Sequence, residues 1–207
     1  MKVTNGIDNF VNSITMYRLI LWGLGLLAGW SVVLGFLNIL PFSGEQLAGS
    51  AVVLLVICYG VNWFLARLFK AATNVESALI TALILFFVFL PASNLNNFGW
   101  LVLAGVVGMA SKYFLALGKK HLFNPVAITA VLFGLLTPYG AGWWFGYPAL
   151  IIPLGLFGLL LVRKLKHFDL FWSCLLAGLL TALVFTLTDP SGLTGKIFKF
   201  KTQYAMM

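Results

Sequence analysis

Acidic side chains are scarce in this chain. Aspartate and glutamate together number five in 207 residues, against thirteen lysines and arginines, and charged residues of both signs make up only nine per cent. That is too few to keep in water a chain whose apolar residues reach 61% and whose mean hydropathy is +1.02, because a soluble domain must cover its apolar interior with a polar skin. Cysteine is scarce too. Cys58 and Cys174 each lie inside an apolar run with no second cysteine nearby, which argues against a metal or redox pair and leaves both as expected packing residues. His121 and His167 have no Glu or Cys three or four residues away, so neither a metal site nor a haem-binding pair is expected. A glycine-rich nucleotide loop and a nucleophile elbow are also missing. A removable signal peptide is not expected, since the first dozen residues are polar and the first apolar stretch is long and without a small-residue cleavage pattern.

What is present in quantity is apolar sequence in long runs. Crossing a hydrocarbon core takes roughly 20 apolar residues in a helix, whose backbone satisfies its own hydrogen bonds where water is absent. Seven runs meet or approach that length: Leu19–Leu40, Leu47–Phe64, Ser77–Leu90, Gly99–Leu117, Val126–Thr137, Tyr147–Val162 and Leu170–Leu187. The expected fold is all-α, a polytopic integral membrane protein of about seven hydrophobic segments. Residues 1–190 form its single transmembrane domain and 191–207 a short basic tail. The run between Asn124-Pro125 and Thr137-Pro138 is too short to span unaided. It is either a half-helix, tolerated at membrane depth where protein meets its freed backbone, or an ordinary helix with proline welcome at its first turn.

The net charge of +8 would suggest nucleic acid in a soluble chain, but here the basic residues sit in short clusters between apolar runs. No nucleic-acid partner is expected; the pattern encodes topology. Lys2 and Arg18, then Arg67 and Lys70, then Lys112, Lys119 and Lys120, then Arg163, Lys164 and Lys166 fall at alternate connections. The intervening ones, Pro41–Gln46, Pro91–Asn97 and Pro138–Gly146, carry no lysine or arginine. By the positive-inside rule the basic connections and the N-terminus are cytoplasmic, with membrane lipid as the first partner and the inner (plasma) membrane as the location. Lys196, Lys199 and Lys201 in the tail break the alternation, which an odd number of full spans does not explain. Trp100, Trp143, Trp144 and Tyr147 fall at predicted boundaries and are expected to anchor at head-group level. Gly23, Gly25 and Gly29, and Gly105 and Gly108, suggest close helix packing.

Ionisable groups near a bilayer are expensive and tend to mark function. Glu76 opens the third run and Asp189 closes the seventh, in Thr188-Asp189-Pro190; both are candidate proton or cation relays. The competing structural roles are a favourable place at a helix N-terminus for Glu76 and a solvated turn for Asp189. The densest polar passage runs from Ser111-Lys112-Tyr113 through Gly118-Lys119-Lys120-His121-Leu122-Phe123-Asn124-Pro125. Cations beside a helix N-terminus can seat a phosphate or carboxylate; the alternative is a cytoplasmic anchor.

Three passages in order, Asn74-Val75-Glu76-Ser77-Ala78-Leu79-Ile80-Thr81-Ala82-Leu83-Ile84-Leu85, Ser111-Lys112-Tyr113 and Lys120-His121-Leu122-Phe123-Asn124-Pro125, followed by Thr188-Asp189-Pro190, carry a resemblance. From the second run to Pro190 the chain resembles the NqrB/RnfD family, which contains membrane subunits of the sodium-translocating NADH:quinone reductase and of the Rnf electron-transport complex. It looks closest to a branch often fused to a ferredoxin-reductase-like domain. The resemblance implies broken helices in inverted repeats, a flavin (FMN or another) and electron transfer through or along the membrane. It implies flavin contacts at Lys112, His121, Asn124 and Thr188, and relay roles for Glu76 and Asp189. Ser191-Gly192-Leu193-Thr194 is similar to the motif on which such proteins esterify FMN to threonine, with Leu193 in place of alanine, which makes Thr194 a weaker candidate. With no NADH-binding or iron–sulphur ligands in the chain, the electrons would come from a partner redox subunit or reductase domain and pass to a further carrier such as quinone. A small-solute channel or transporter on the same broken-helix core, and a structural docking subunit, are the rival readings.

Overall fold

A computed structural model describes residues 13–71, 73–117, 120–121 and 123–188, with the backbone alone at 117, 120–121 and 185–188. Among them are seven α-helices: α1 (Met16–Phe36), α2 (Gly44–Leu68), α3 (Val75–Val88), α4 (Leu95–Phe114), α5 (Pro125–Leu136), α6 (Pro148–Leu165) and α7 (Phe168–Thr188). Each expected apolar run overlaps one of them, with ends that differ by one to four residues. A two-residue antiparallel ladder, β1 (Ala116–Leu117) with β2 (Lys120–His121), links α4 to α5. Three helices, α1, α2 and α6, are long and apolar enough to cross a membrane.

Capping residues set the helix starts. The Thr15 hydroxyl accepts from the Arg18 amide, and Ser43 and Gln46 form a reciprocal capping box at α2. Asn74, Asn94 and Asn124 each place a side-chain oxygen on an amide of the first turn of α3, α4 and α5. Pro125 occupies the first turn of α5, where its missing N–H costs nothing. α5 is a proline-started helix that stops after 12 residues, about 18 Å.

Hydrogen bonds between the elements give the molecule two distinct ends. Arg18 pairs with Glu76, Tyr113 with Asn62, Lys112 with Ser77, and the Lys164 ammonium donates to the Ile14 carbonyl at 2.5 Å. The start of α1, the end of α2, the start of α3, the end of α4 and the end of α6 therefore lie together. This end carries Arg18, Arg67, Lys70, Lys112, Arg163, Lys164 and Lys166. Residues 37–43, 89–94 and 137–147, at the other end, include no lysine or arginine.

α2 packs against α1, α3 and α4, and α5 closes on α4 and α3. Glycine permits a close three-helix crossing: a Cβ added at Gly108 on α4 would sit 3.2 Å from Leu85 of α3 and 3.3 Å from the Thr129 hydroxyl of α5. Gly23 likewise faces the Phe157 ring of α6, whereas Gly25 and Gly29 look into open space and pack against nothing.

At the neutral end the chain leaving α3 is extended but still inside the protein, with Phe89 and Ala92 each at 1% exposure. Its backbone finds partners there: the Ala92 amide donates to Ser50 Oγ at 2.8 Å, the Gly142 amide to the Val88 carbonyl at 2.9 Å, and the Tyr139 hydroxyl to the Leu90 carbonyl. Trp144 is not an exposed head-group anchor as its place in the sequence suggests. It is buried, its ring against Phe42, Phe86, Phe87 and Phe145, its indole N–H donating to the Phe86 carbonyl at 2.8 Å. An indole can be buried when its one donor is satisfied, and here a carbonyl in the last turn of α3 takes it. Trp143 beside it is exposed.

The body has an internal repeat. α2–α3 and α4–α5 are each a longer helix running to the basic end followed by a shorter one running back, opened by Asn74 and Asn124 and followed by Pro91 and Pro138. Ile80-Thr81-Ala82-Leu83 on α3 matches Ile128-Thr129-Ala130-Val131 on α5. Both threonines are buried, and each hydroxyl donates to the carbonyl four residues back. The α6–α7 hairpin carries the same signature, Leu180-Thr181-Ala182-Leu183, in an exposed setting. Leu150 is the buried residue of α6, and of residues 168–184 only Phe171 is even half-buried. Cys174 is accordingly exposed, against the expectation of packing, while Cys58 is fully buried.

Candidate functional site at the basic end

Of the passages singled out in the sequence, Asn74–Ser77 and Ser111–Tyr113 meet at the basic end, where the helix opened by Asn124-Pro125 also starts. Helix geometry accounts for this: α3 and α5 begin there, and α4 ends there between them. Lys112, in the last turn of α4, is 7% exposed, and its ammonium donates to the Ser77 carbonyl at 2.8 Å and to Ser77 Oγ at 3.0 Å. The same carbonyl accepts from Thr81 Oγ1 at 2.9 Å. Lys112 thus ties the end of α4 to the first turn of α3 and places a positive charge inside the protein, where charge interactions are stronger than in water.

Next to it, the Tyr113 hydroxyl lies 2.9 Å from Asn62 Oδ1 and 3.1 Å from the Asn62 carbonyl, joining α4 to α2. Phe69 stacks on the Tyr113 ring. Ser77, Asn62, Thr81 and Thr129 belong to this polar core although none is a candidate site residue from the sequence. The repeated Ile-Thr-Ala is the signal that could have identified the two threonines.

Glu76 lies elsewhere. Its carboxylate takes Arg18 Nε at 3.0 Å on the outer surface, with side-chain exposures of 62% for Arg18 and 35% for Glu76. A pair so open to solvent contributes at most about 1 kcal/mol, and its position in the first turn of α3 is also favourable for a carboxylate. Asn124 is exposed, its side-chain oxygen accepting from the Val126 amide at 3.0 Å. The His121 backbone pairs with Ala116 in the β1–β2 ladder, next to the start of α5. The side chains of His121 and Thr188, and the whole of Asp189 and Thr194, lie outside the described residues. The structure therefore brings Lys112 together with the first turn of α3, sets Glu76 on the surface beside it, and leaves Asn124 as the cap of α5.

At the opposite end Tyr139 stacks on Phe89 and donates to the Leu90 carbonyl, and burial pushes its hydroxyl up to about 12. It serves as a backbone donor there. Among the described residues no group of three or more His, Cys, Asp or Glu could hold a metal ion.

Comparison with protein-family models, curated proteins and solved structures finds no match to this chain.

Proposed function

We propose that this chain is a multi-pass membrane protein, basic end in the cytoplasm, that serves as the membrane-embedded electron-transfer subunit of a redox complex and binds a flavin at that end. The observation that carries this reading is the meeting of two of the resemblance passages, Lys112 of α4 on Ser77 of α3, at the end of the molecule where α5 also starts. Support for the bilayer comes from three helices of spanning length and from the segregation of lysine and arginine to one end. Support for a functional core comes from α3 and α5, which stop short while protein groups satisfy the chain that follows, the condition for broken helices at membrane depth.

The residues fit a flavin nucleotide in part. Its phosphate would be held at the first turn of α5 beside Asn124, with Lys120 and His121 in the ladder that leads into it, where amides and cations favour an anion. Lys112 is turned inward onto Ser77; its contribution is a fixed positive potential that favours the reduced, more negative state of a nearby acceptor. Bound there, the flavin would supply one- and two-electron chemistry. Glu76, on the surface and held by Arg18, is placed to exchange protons with the aqueous side. Asp189, Thr188 and Thr194 keep the relay and contact roles that the resemblance implies. A partner redox subunit or reductase domain would deliver the electrons, and quinone is a fitting acceptor.

The test is the absorption spectrum of the detergent-purified chain, followed by acid precipitation. Flavin released by acid is the expected result, and Asn124→Ala is expected to lower the flavin content of folded protein. Flavin retained on the precipitate would assign Thr194. A folded, colourless protein overturns the proposal in favour of the channel or transporter, which the paired short helices also suit, and solute uptake by proteoliposomes without an electron donor would establish that.

A further inference from the structure

One face of α2 is open along most of its length. Val52, Val56, Tyr59 and Trp63 follow one another at helical spacing with exposures of 58, 63, 48 and 45%. Gly60 lies on the same face, with nothing within 4 Å of where its Cβ would be, so the surface dips between Val56 and Trp63. The face ends at the basic end on Arg67, whose guanidinium carbon stands 3.9 Å from the centroid of the Trp63 ring. Lys70 follows in the closing turn, its own φ of 50° directing the chain away from the helix. Among the described residues the carboxylates are Glu45, on the same face but at the opposite end of α2 and about 33 Å of helix from Arg67, Asp169 in the first turn of α7, and Glu76, which is taken up by Arg18. The cation on Trp63 therefore has no protein carboxylate of its own among them.

The dimensions match a single lipid leaflet. From Trp63 back to Val52 is eleven residues, about 16 Å of helix at 1.5 Å per residue, against about 15 Å for half of a hydrocarbon core of about 30 Å. Arg67, one turn beyond Trp63, then stands at head-group level. A guanidinium held over an indole keeps its N–H fork available to a phosphate.

We infer that the outer face of α2 is a binding site for an anionic phospholipid, with its phosphate on Arg67 and one acyl chain lying over Trp63, Gly60, Val56 and Val52. The inference rests on the bilayer reading of the molecule and is independent of the flavin. Charge complementarity selects the occupant: a zwitterionic lipid offers the same tail but brings its own cation to Arg67, and a partner protein would not call for a charged group at the end of a leaflet-length apolar groove.

The test uses the full chain, delipidated in detergent and reconstituted into phosphatidylcholine vesicles with and without phosphatidylglycerol, with retained lipid quantified by native mass spectrometry. The wild-type chain is expected to retain phosphatidylglycerol over phosphatidylcholine. Arg67→Gln should cut that preference about fivefold, the effect of one cation at a membrane surface. Gly60→Leu, which fills the dip without changing charge, should reduce retention of both lipids, and Arg163→Gln, at the same end on α6, should change neither. An unchanged preference in Arg67→Gln would overturn the proposal. Equal competition by soluble glycerophosphate would also overturn it, as a free-anion site. Chain that carbonate strips from phosphatidylcholine vesicles would overturn the bilayer reading itself, an outcome distinct from loss of head-group preference.

Discussion

The body of α1–α5 and the hairpin of α6–α7 are built from similar letters and behave differently. In the body, Thr81 and Thr129 are buried beside Gly108, the extended chain after α3 is held by Ser50 and Tyr139, and Trp144 bonds the last turn of α3. In the hairpin, the matching Thr181 is exposed and Gly178 meets nothing. The apolar residues are as dense in one as in the other. What differs is whether a neighbouring helix offers a gap to fill. Apolarity by itself thus selects a bilayer or a core without distinguishing them, and the small residue at a crossing makes the choice.

That difference can be tested from its strongest element downwards by unfolding in detergent. Trp144→Ala removes the centre of an aromatic cluster and a donor to Phe86, and is expected to cost about 3–5 kcal/mol. Trp172→Ala on α7, 61% exposed, is expected to change stability by less than about 0.5 kcal/mol. Equal losses would mean that α7 is packed after all. Gly108→Leu should cost about 1–3 kcal/mol by overpacking against Leu85 and Thr129, whereas Gly178→Ala, in open space, should stabilise by about 0.5–1 kcal/mol because glycine is the poorer helix former. Tyr139→Phe leaves the Leu90 carbonyl without its hydroxyl donor and should cost about 1 kcal/mol. The smallest effect in the body is expected at its rim: Arg18→Gln breaks an exposed ion pair and should cost less than about 1 kcal/mol, an amount that salt abolishes in the wild-type chain. A larger, salt-independent loss would show Glu76 to be more deeply coupled to the first turn of α3 than its exposure implies.

Much of the fold is legible in the sequence because its signals are local. An apolar run of helical length bounded by polar residues defines a helix, and Asn74 and Asn124 mark the starts of α3 and α5 as plainly in sequence as in structure. The site is legible in part. Ser111-Lys112-Tyr113 and Asn74-Val75-Glu76-Ser77 stand out as polar islands, but their contact across α4 and α3 depends on helix direction and rotation, which no short window contains. The Arg18–Glu76 pair spans 58 residues of sequence and cannot be read from either partner. Trp144 misleads because aromatic residues near a connection look the same whether the connection lies on the surface or folds inward; only the Phe86 carbonyl and the surrounding rings distinguish the two cases. Cys174 misleads for the converse reason, since its run is as apolar as a core helix.

The brevity of α5 also bears on how the molecule is made. In a bilayer, a 12-residue helix is too short to be released into lipid alone, and the chain after it depends on Val88 and Phe86 for hydrogen bonds. On the bilayer reading proposed above, α2 and α3 are therefore expected to be in place before α4 and α5 leave the insertion machinery, so that the order of synthesis would also be the order of assembly. A chain permuted to begin at Asn94 would present α5 before the groups that accept it, and would fail in biogenesis even if the finished protein, once formed, were just as stable.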